Sequence, residues 1–217
     1  MHGTIQFFCI SNLDFLVFAI IGAGLKYIDD AFDEDIFSKK IAVLIAPIIV
    51  IVAVILAIKD AASQTILFSI LLAVLIGGKV DNLVFKLSSI AFLLLLFLPS
   101  FGLYGTFNFL WIPLVIITIT GVIDERGNDY VGKNKNKINE LTNFFFEHRF
   151  SMKIGMLTVC VFQFLPWLYL LAFLAFDGAY ESIRILGKMS IENQRDKKSA
   201  YLYKTTRLHK IHTEGRK

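Results

Sequence analysis

Asp29, Asp30 and Asp33 form an Asp-Asp-x-x-Asp run that Glu34 and Asp35 follow at once. On a helix, Asp29 and Asp33 are i,i+4 neighbours and Asp30 and Asp33 are i,i+3 neighbours, so their carboxylates can converge. Converged carboxylates repel one another, and a bound divalent cation removes that repulsion. Oxygen-only ligands suit Mg²⁺ (or Mn²⁺), and Mg²⁺ typically combines one or two carboxylates with substrate phosphates. The run therefore predicts a metal site at Asp29, Asp30 and Asp33.

The same chemistry recurs along the chain. Tyr27-Ile28-Asp29-Asp30, Lys79-Val80-Asp81-Asn82 and Val122-Ile123-Asp124-Glu125 each close an apolar run. Asp81 and Asp124 are expected at the height of the first cluster, where they complete a metal shell or act as base. Lys26, Lys79 and Arg126 stand beside the three acidic turns and are expected to bind phosphate. Catalysis at such a site is charge neutralisation and positioning. A purely structural reading competes with this one. Charged helix ends are ordinary at a water interface, Lys26 can pair with Asp30 at i+4, and Lys79 and Lys86 can flank Asp81.

Three families use related chemistry. Asp29, Asp30 and Asp33 resemble the aspartate-rich motif of prenyl diphosphate enzymes, including the intramembrane prenyltransferases. Gly121-Val122-Ile123-Asp124-Glu125 resembles the helix-end motif of polyprenyl-phosphate sugar-phosphate transferases, which normally carry paired aspartates. Chain length and span number are similar to those of CDP-alcohol phosphatidyltransferases, whose Asp-Gly-x-x-Ala-Arg signature this sequence lacks. Each resemblance covers about five residues and implies a metal-dependent enzyme on a lipid-linked phosphate or diphosphate.

The elements that must position these residues are apolar helices. Apolar residues make up 56% of the chain and mean hydropathy is +0.64, above the ordinary soluble range of about 45–50%. The apolar runs approach the roughly 17–25 residues that cross a bilayer. The sequence predicts an all-α, polytopic transmembrane bundle of about six spans: 13–28, 41–58, 63–80, 83–98, 107–123 and 154–176. They pair as three helical hairpins in one domain, 1–176, followed by a basic C-terminal tail, 177–217. The first apolar run lacks a preceding basic region and a cleavage site and reads as a retained helix.

Spans one, three and five end at one face, the acidic face. Lys26, Lys39, Lys40, Lys79, Lys86, Arg126, Lys133, Lys135, Lys137, Arg149 and Lys153 lie there, against Lys59 alone in the opposite loops. The positive-inside rule makes the acidic face cytoplasmic in a multi-pass cell-membrane protein. The tail, with Arg184, Lys188, Arg195, Lys197 and Lys198, then falls on the other side. Either the tail is exported or the number of spans is odd. Within the long acidic-face loop, 138–150 has helical spacing with Ile138, Leu141, Phe144 and Phe145 on one side, which suits an interfacial helix or a connector packed on protein.

Other residues carry less. Cys9 and Cys160 have no metal spacing and read as buried thiols. His209 and His212 read as part of a solvated tail, and His148 as a headgroup-facing residue. Pro166 is expected to kink the last span near Gln163. Net charge of +4 suggests anionic lipid, and no nucleic acid partner. Two further functions fit the composition. One is a cation transporter or channel, for which an acid at membrane depth, Asp14, is the candidate. The other is an accessory or scaffold subunit, as a homo-oligomer or within a membrane complex.

Overall fold

The computed structural model describes residues 10–79, 82–97, 109–134 and 137–214. These residues form eight α-helices and no strand: α1 Asn12–Asp33, α2 Lys39–Lys59, α3 Ala61–Gly77, α4 Leu83–Phe97, α5 Trp111–Lys133, α6 Glu140–Glu147, α7 Phe150–Val161 and α8 Trp167–Glu214. Among them, α2 alone is long and apolar enough to cross a membrane by itself, while α3, α4 and α7 are shorter apolar helices. The all-α class is as expected. Six spans of full length are not what the helices present.

Local chemistry sets the helix ends. Ser11 caps α1, and its N–H donates to the Asp14 carboxylate at 2.7 Å. Asp60 caps α3 by accepting from the Ser63 N–H at 2.7 Å, an N-cap worth about 1 kcal/mol. Gly78, at φ 77°, closes α3 with its N–H on the Leu75 carbonyl; the left-handed conformation suits a residue without Cβ. Asp81 and the 99–106 turn lie outside the described residues.

Two boundaries differ from the sequence reading. The run 154–176 is not one helix. Gln163 adopts φ 58°, Pro166 follows, and the chain reverses between α7 and α8. Lys153 pairs with Asp177 at 2.7 Å and Arg149 bonds Tyr180 at 3.0 Å, so α7 and α8 are antiparallel. α8 then returns beside α1, which is its most extensive partner. Residues 177–214 are helical and continue α8 to Glu214, and Asp177, Tyr180 and Gly187 stand beside Lys153, Arg149 and Asp30. In the second difference, α5 runs on to Lys133, so Asp124 lies within a helix and not at its end.

The hairpin pattern is also altered. α1 packs on α2, but α3 packs mainly on α5, and α4 lies on α2. The shared core includes Phe18, Ile21, Ile66, Ile117, Met156, Val159, Tyr169 and Phe173, all fully or nearly fully buried. Small residues let the backbones close in, as expected for packed apolar helices. At Gly22 a side chain would strike the Phe176 carbonyl of α8. Facing outward are large apolar residues, among them Leu16, Leu44, Ile48, Ile55, Leu94, Ile112, Ile119, Val161 and Leu171.

Candidate functional site

Because α1 stays helical to Asp33, Lys26, Asp29, Asp30 and Asp33 come to one end of the bundle. They line a cavity of about 220 Å³ with Glu34, Lys79, Glu125, Asn128, Arg149 and Tyr180. Lys26 sits between two carboxylates, 2.9 Å from Asp29 and 2.8 Å from Asp30. Its ammonium thus occupies the place between them that a metal was expected to take. Burial pushes the Asp30 carboxyl above its ordinary range, against the opposing pull of Lys26. Among the described residues, no group of three or more His, Cys, Asp or Glu side chains is arranged to hold a metal ion.

Lys79, beyond the end of α3, pairs with Asp129 on α5. This joins two elements fifty residues apart where sequence spacing suggested a partner at Asp81.

Arg149 was not among the predicted ligands, yet it holds the centre of one wall. It is the N-cap of α7 and adopts φ 52°, ψ 46°, a left-handed conformation that costs a non-glycine residue about 1–2 kcal/mol. Glu125 receives its guanidinium at 2.7 Å. The Tyr180 ring lies under it at 4.2 Å, and the Tyr180 hydroxyl accepts from it at 3.0 Å. Burial raises the Tyr180 phenol above its usual range, so that hydroxyl stays protonated at neutral pH. Tyr180 was hidden from sequence reasoning because 154–176, taken as one span, sends it to the opposite face.

Asp124 and Arg126 do not reach the cavity. Asp124 is buried and accepts from the N–H groups of Ser151 at 3.0 Å and Met152 at 2.7 Å. It caps the first turn of α7, a position where a carboxylate also meets the positive helix end. Arg126 is exposed on α5. The recurring aspartates therefore have different duties: Asp29 lines the cavity and Asp124 fixes a helix end.

Two further compartments adjoin this cavity. Toward the middle of the bundle lies an apolar cleft of about 80 Å³, walled by Ile21, Ile49, Leu67, Phe92 and neighbours. Leu25, Ile70, Val74, Phe85 and Phe176 belong to both cleft and cavity. Outward lies a second polar chamber of about 280 Å³, which shares Lys26, Asp30, Glu34 and Asn128 with the first.

Comparisons with family models, curated proteins and solved structures gave no match.

Proposed function

We propose that the chain is a multi-pass membrane protein that receives a lipid-linked phosphate or diphosphate in the polar cavity and acts on it with a divalent cation. The observation that carries this reading is the shared wall of Leu25, Ile70, Val74, Phe85 and Phe176. An apolar cleft continuous with a charged cavity suits a ligand that is apolar at one end and anionic at the other.

Membrane residence rests on the outward-facing leucines and isoleucines of α1, α2, α4, α5, α7 and α8. A soluble monomer rarely exposes apolar patches beyond a few hundred Å². Counting α7 and the start of α8 separately gives seven passes through the bundle, an odd number. Along the described helices Lys59 is then the one Lys or Arg at the opposite end, and the charge rule gives a cytoplasmic acidic face without conflict.

The cavity lining contains Lys26, Lys79 and Arg149 against Asp29, Asp30, Asp33, Glu34 and Glu125. Three formal positive charges against five negative leaves a surplus of two negative charges, which one divalent cation neutralises. Because Lys26 stands between Asp29 and Asp30, the carboxylates fit such an ion only in company with phosphate oxygens, the mixed arrangement Mg²⁺ favours. When bound, the ion supplies neutralisation of phosphate charge. Lys79 and Arg149 would orient the remaining oxygens, Arg149 through its planar fork. Asp29 and Asp33 would face the ion.

Purified protein tested by native mass spectrometry should retain an anionic phosphate-bearing lipid. Mg²⁺ should tighten that retention, and Asp29→Ala, Asp33→Ala and Lys79→Gln should each weaken it. Retention of neutral and anionic lipids alike, unaffected by the variants, would refute the reading.

Cation transport is less well supported. Asp14, the acid that suggested it, lies in the first turn of α1 at the opposite end and accepts from Lys59 at 2.6 Å. That is a closed ion pair at a helix start.

A further inference from the structure

The outer polar chamber differs from the inner cavity in one respect that bears on its ligand. It shares Lys26, Asp30, Glu34 and Asn128 with the inner cavity but no residue with the apolar cleft. Ile36 and Val131 are its apolar lining residues, too few to seat an acyl or prenyl chain. Its cationic side is formed by Arg184 and Lys188, one turn apart on α8 and both held by Glu147 of α6. Lys188 lies 2.5 Å and Arg184 3.6 Å from the same carboxylate oxygen. Arg184 also meets Glu181 at 2.6 Å and donates to the Glu147 carbonyl at 2.7 Å, which fixes its fork. Its Nε is buried without a hydrogen-bond partner, as are the carboxylate oxygens of Glu181, with which the guanidinium is ion-paired. The side-chain amides of Asn128 and Asn143 line the same space.

We infer that this outer chamber is a binding site for a water-soluble phosphate or diphosphate compound, engaged by Arg184 and Lys188. A phosphate group brings more charge and more acceptor oxygens than the single carboxylate that now spans the two cations. It displaces Glu147 from Lys188 and Arg184. Lys188 is half-exposed, so the ligand enters from water. Lys26 and Asp30 form the partition between this ligand and whatever occupies the inner cavity. The inference rests on the proposed function only for the identity of the inner ligand; the outer site stands on its own residues.

Inorganic pyrophosphate titrated calorimetrically into the full chain, in nanodiscs of zwitterionic lipid, tests it. Wild type should bind pyrophosphate. Arg184→Gln and Lys188→Gln should each weaken binding about tenfold or more, the scale of one hydrogen bond to a charged group. Neither should alter retention of phosphate-bearing lipid. Glu147→Gln should tighten pyrophosphate binding by removing the carboxylate that competes for Lys188 and Arg184, a gain that a merely structural role for Glu147 would not produce. Lys79→Gln, confined to the inner cavity, should affect lipid retention and leave pyrophosphate binding intact. Pyrophosphate affinity unchanged in Lys188→Gln, or unchanged or lowered in Glu147→Gln, overturns the outer site. Loss of lipid retention in wild type, with the pyrophosphate pattern intact, overturns the inner reading and leaves this one standing.

Discussion

Tyr169 donates its hydroxyl to the Asp60 carboxylate at 2.9 Å, so the first turn of α8 stands beside the α2–α3 turn. Eight residues before the same helix reaches Asp177, it is at the far end of the bundle; at Asp177 it meets Lys153 near the acidic face. These two contacts fix the direction of α8 relative to α7 and to the α2–α3 turn.

Cysteine labelling in sealed vesicles checks this direction. In a background with Cys9 and Cys160 replaced by Ser, Ser38→Cys and Ser182→Cys should react from the same side. Both residues are exposed, one before α2 and one on α8. Labelling from opposite sides would restore the six-span arrangement and remove the α7–α8 reversal.

Asp124→Ala should destabilise the protein by roughly 1–3 kcal/mol. It leaves the Ser151 and Met152 N–H groups without their acceptor in buried surroundings, and an unsatisfied buried donor costs about that much. Thermal unfolding in detergent measures the loss. Lipid retention per folded molecule should be unaffected, since Asp124 does not line the cavity.

Gly22→Ala should also cost about 1–3 kcal/mol, because the new Cβ meets backbone at Phe176 and not a side chain that can turn away. Gly178→Ala is the matched control. Nothing lies within 4 Å of a Cβ there, and replacing a helical glycine by alanine gains about 1 kcal/mol. The two midpoints of thermal unfolding should move in opposite directions.

Protonation of Glu147 should loosen the C-terminal end of α6. The Lys188 hydrogen bond, aided by the charges of Lys188, Arg184 and His148, holds this carboxyl below its ordinary value near 4.5. A lowered folded-state pKa means the unfolded state binds the proton more readily. The stabilisation is present above about pH 4.5 and is lost as pH falls through the folded value. No residue of α6 is fully buried, but Phe146 packs on Gly127 of α5 and Phe144 and Phe145 meet Phe150, so α6 loosens without detaching. Hydrogen exchange of the α6 amides should quicken as pH is lowered below 4.5, once the intrinsic pH dependence is subtracted, and Glu147→Gln should show fast exchange throughout. Equal protection in wild type and variant would contradict this.

Much of the inner cavity was legible because it lies on one helix. Spacing alone places Lys26, Asp29, Asp30 and Asp33 together once α1 runs to Asp33, and it also shows the Lys26–Asp30 pair that the structure contains. Pairings between helices were not legible. Lys79 chooses Asp129, and Arg149 chooses Glu125 and Tyr180, across distances in sequence that no periodicity encodes. The reversal at 162–166 was masked by an apolar run of the right length for one crossing. Its trace was the basic stretch after 177, which could not satisfy the charge rule in an even-numbered bundle. Gln163 and Pro166 mark the place.

Lys26, Lys79 and Arg149 each already face a carboxylate. An incoming anion therefore gains a cation only by evicting a resident acid, and the evicted acid then lacks a counter-charge. On the proposed reading a divalent ion supplies it, so the two ligands must favour each other's arrival, and by thermodynamic reciprocity the factor is the same in either order. Swapping one ionic partner for another changes the total free energy little, which lets such a cavity discriminate without holding its guest too tightly to let it go.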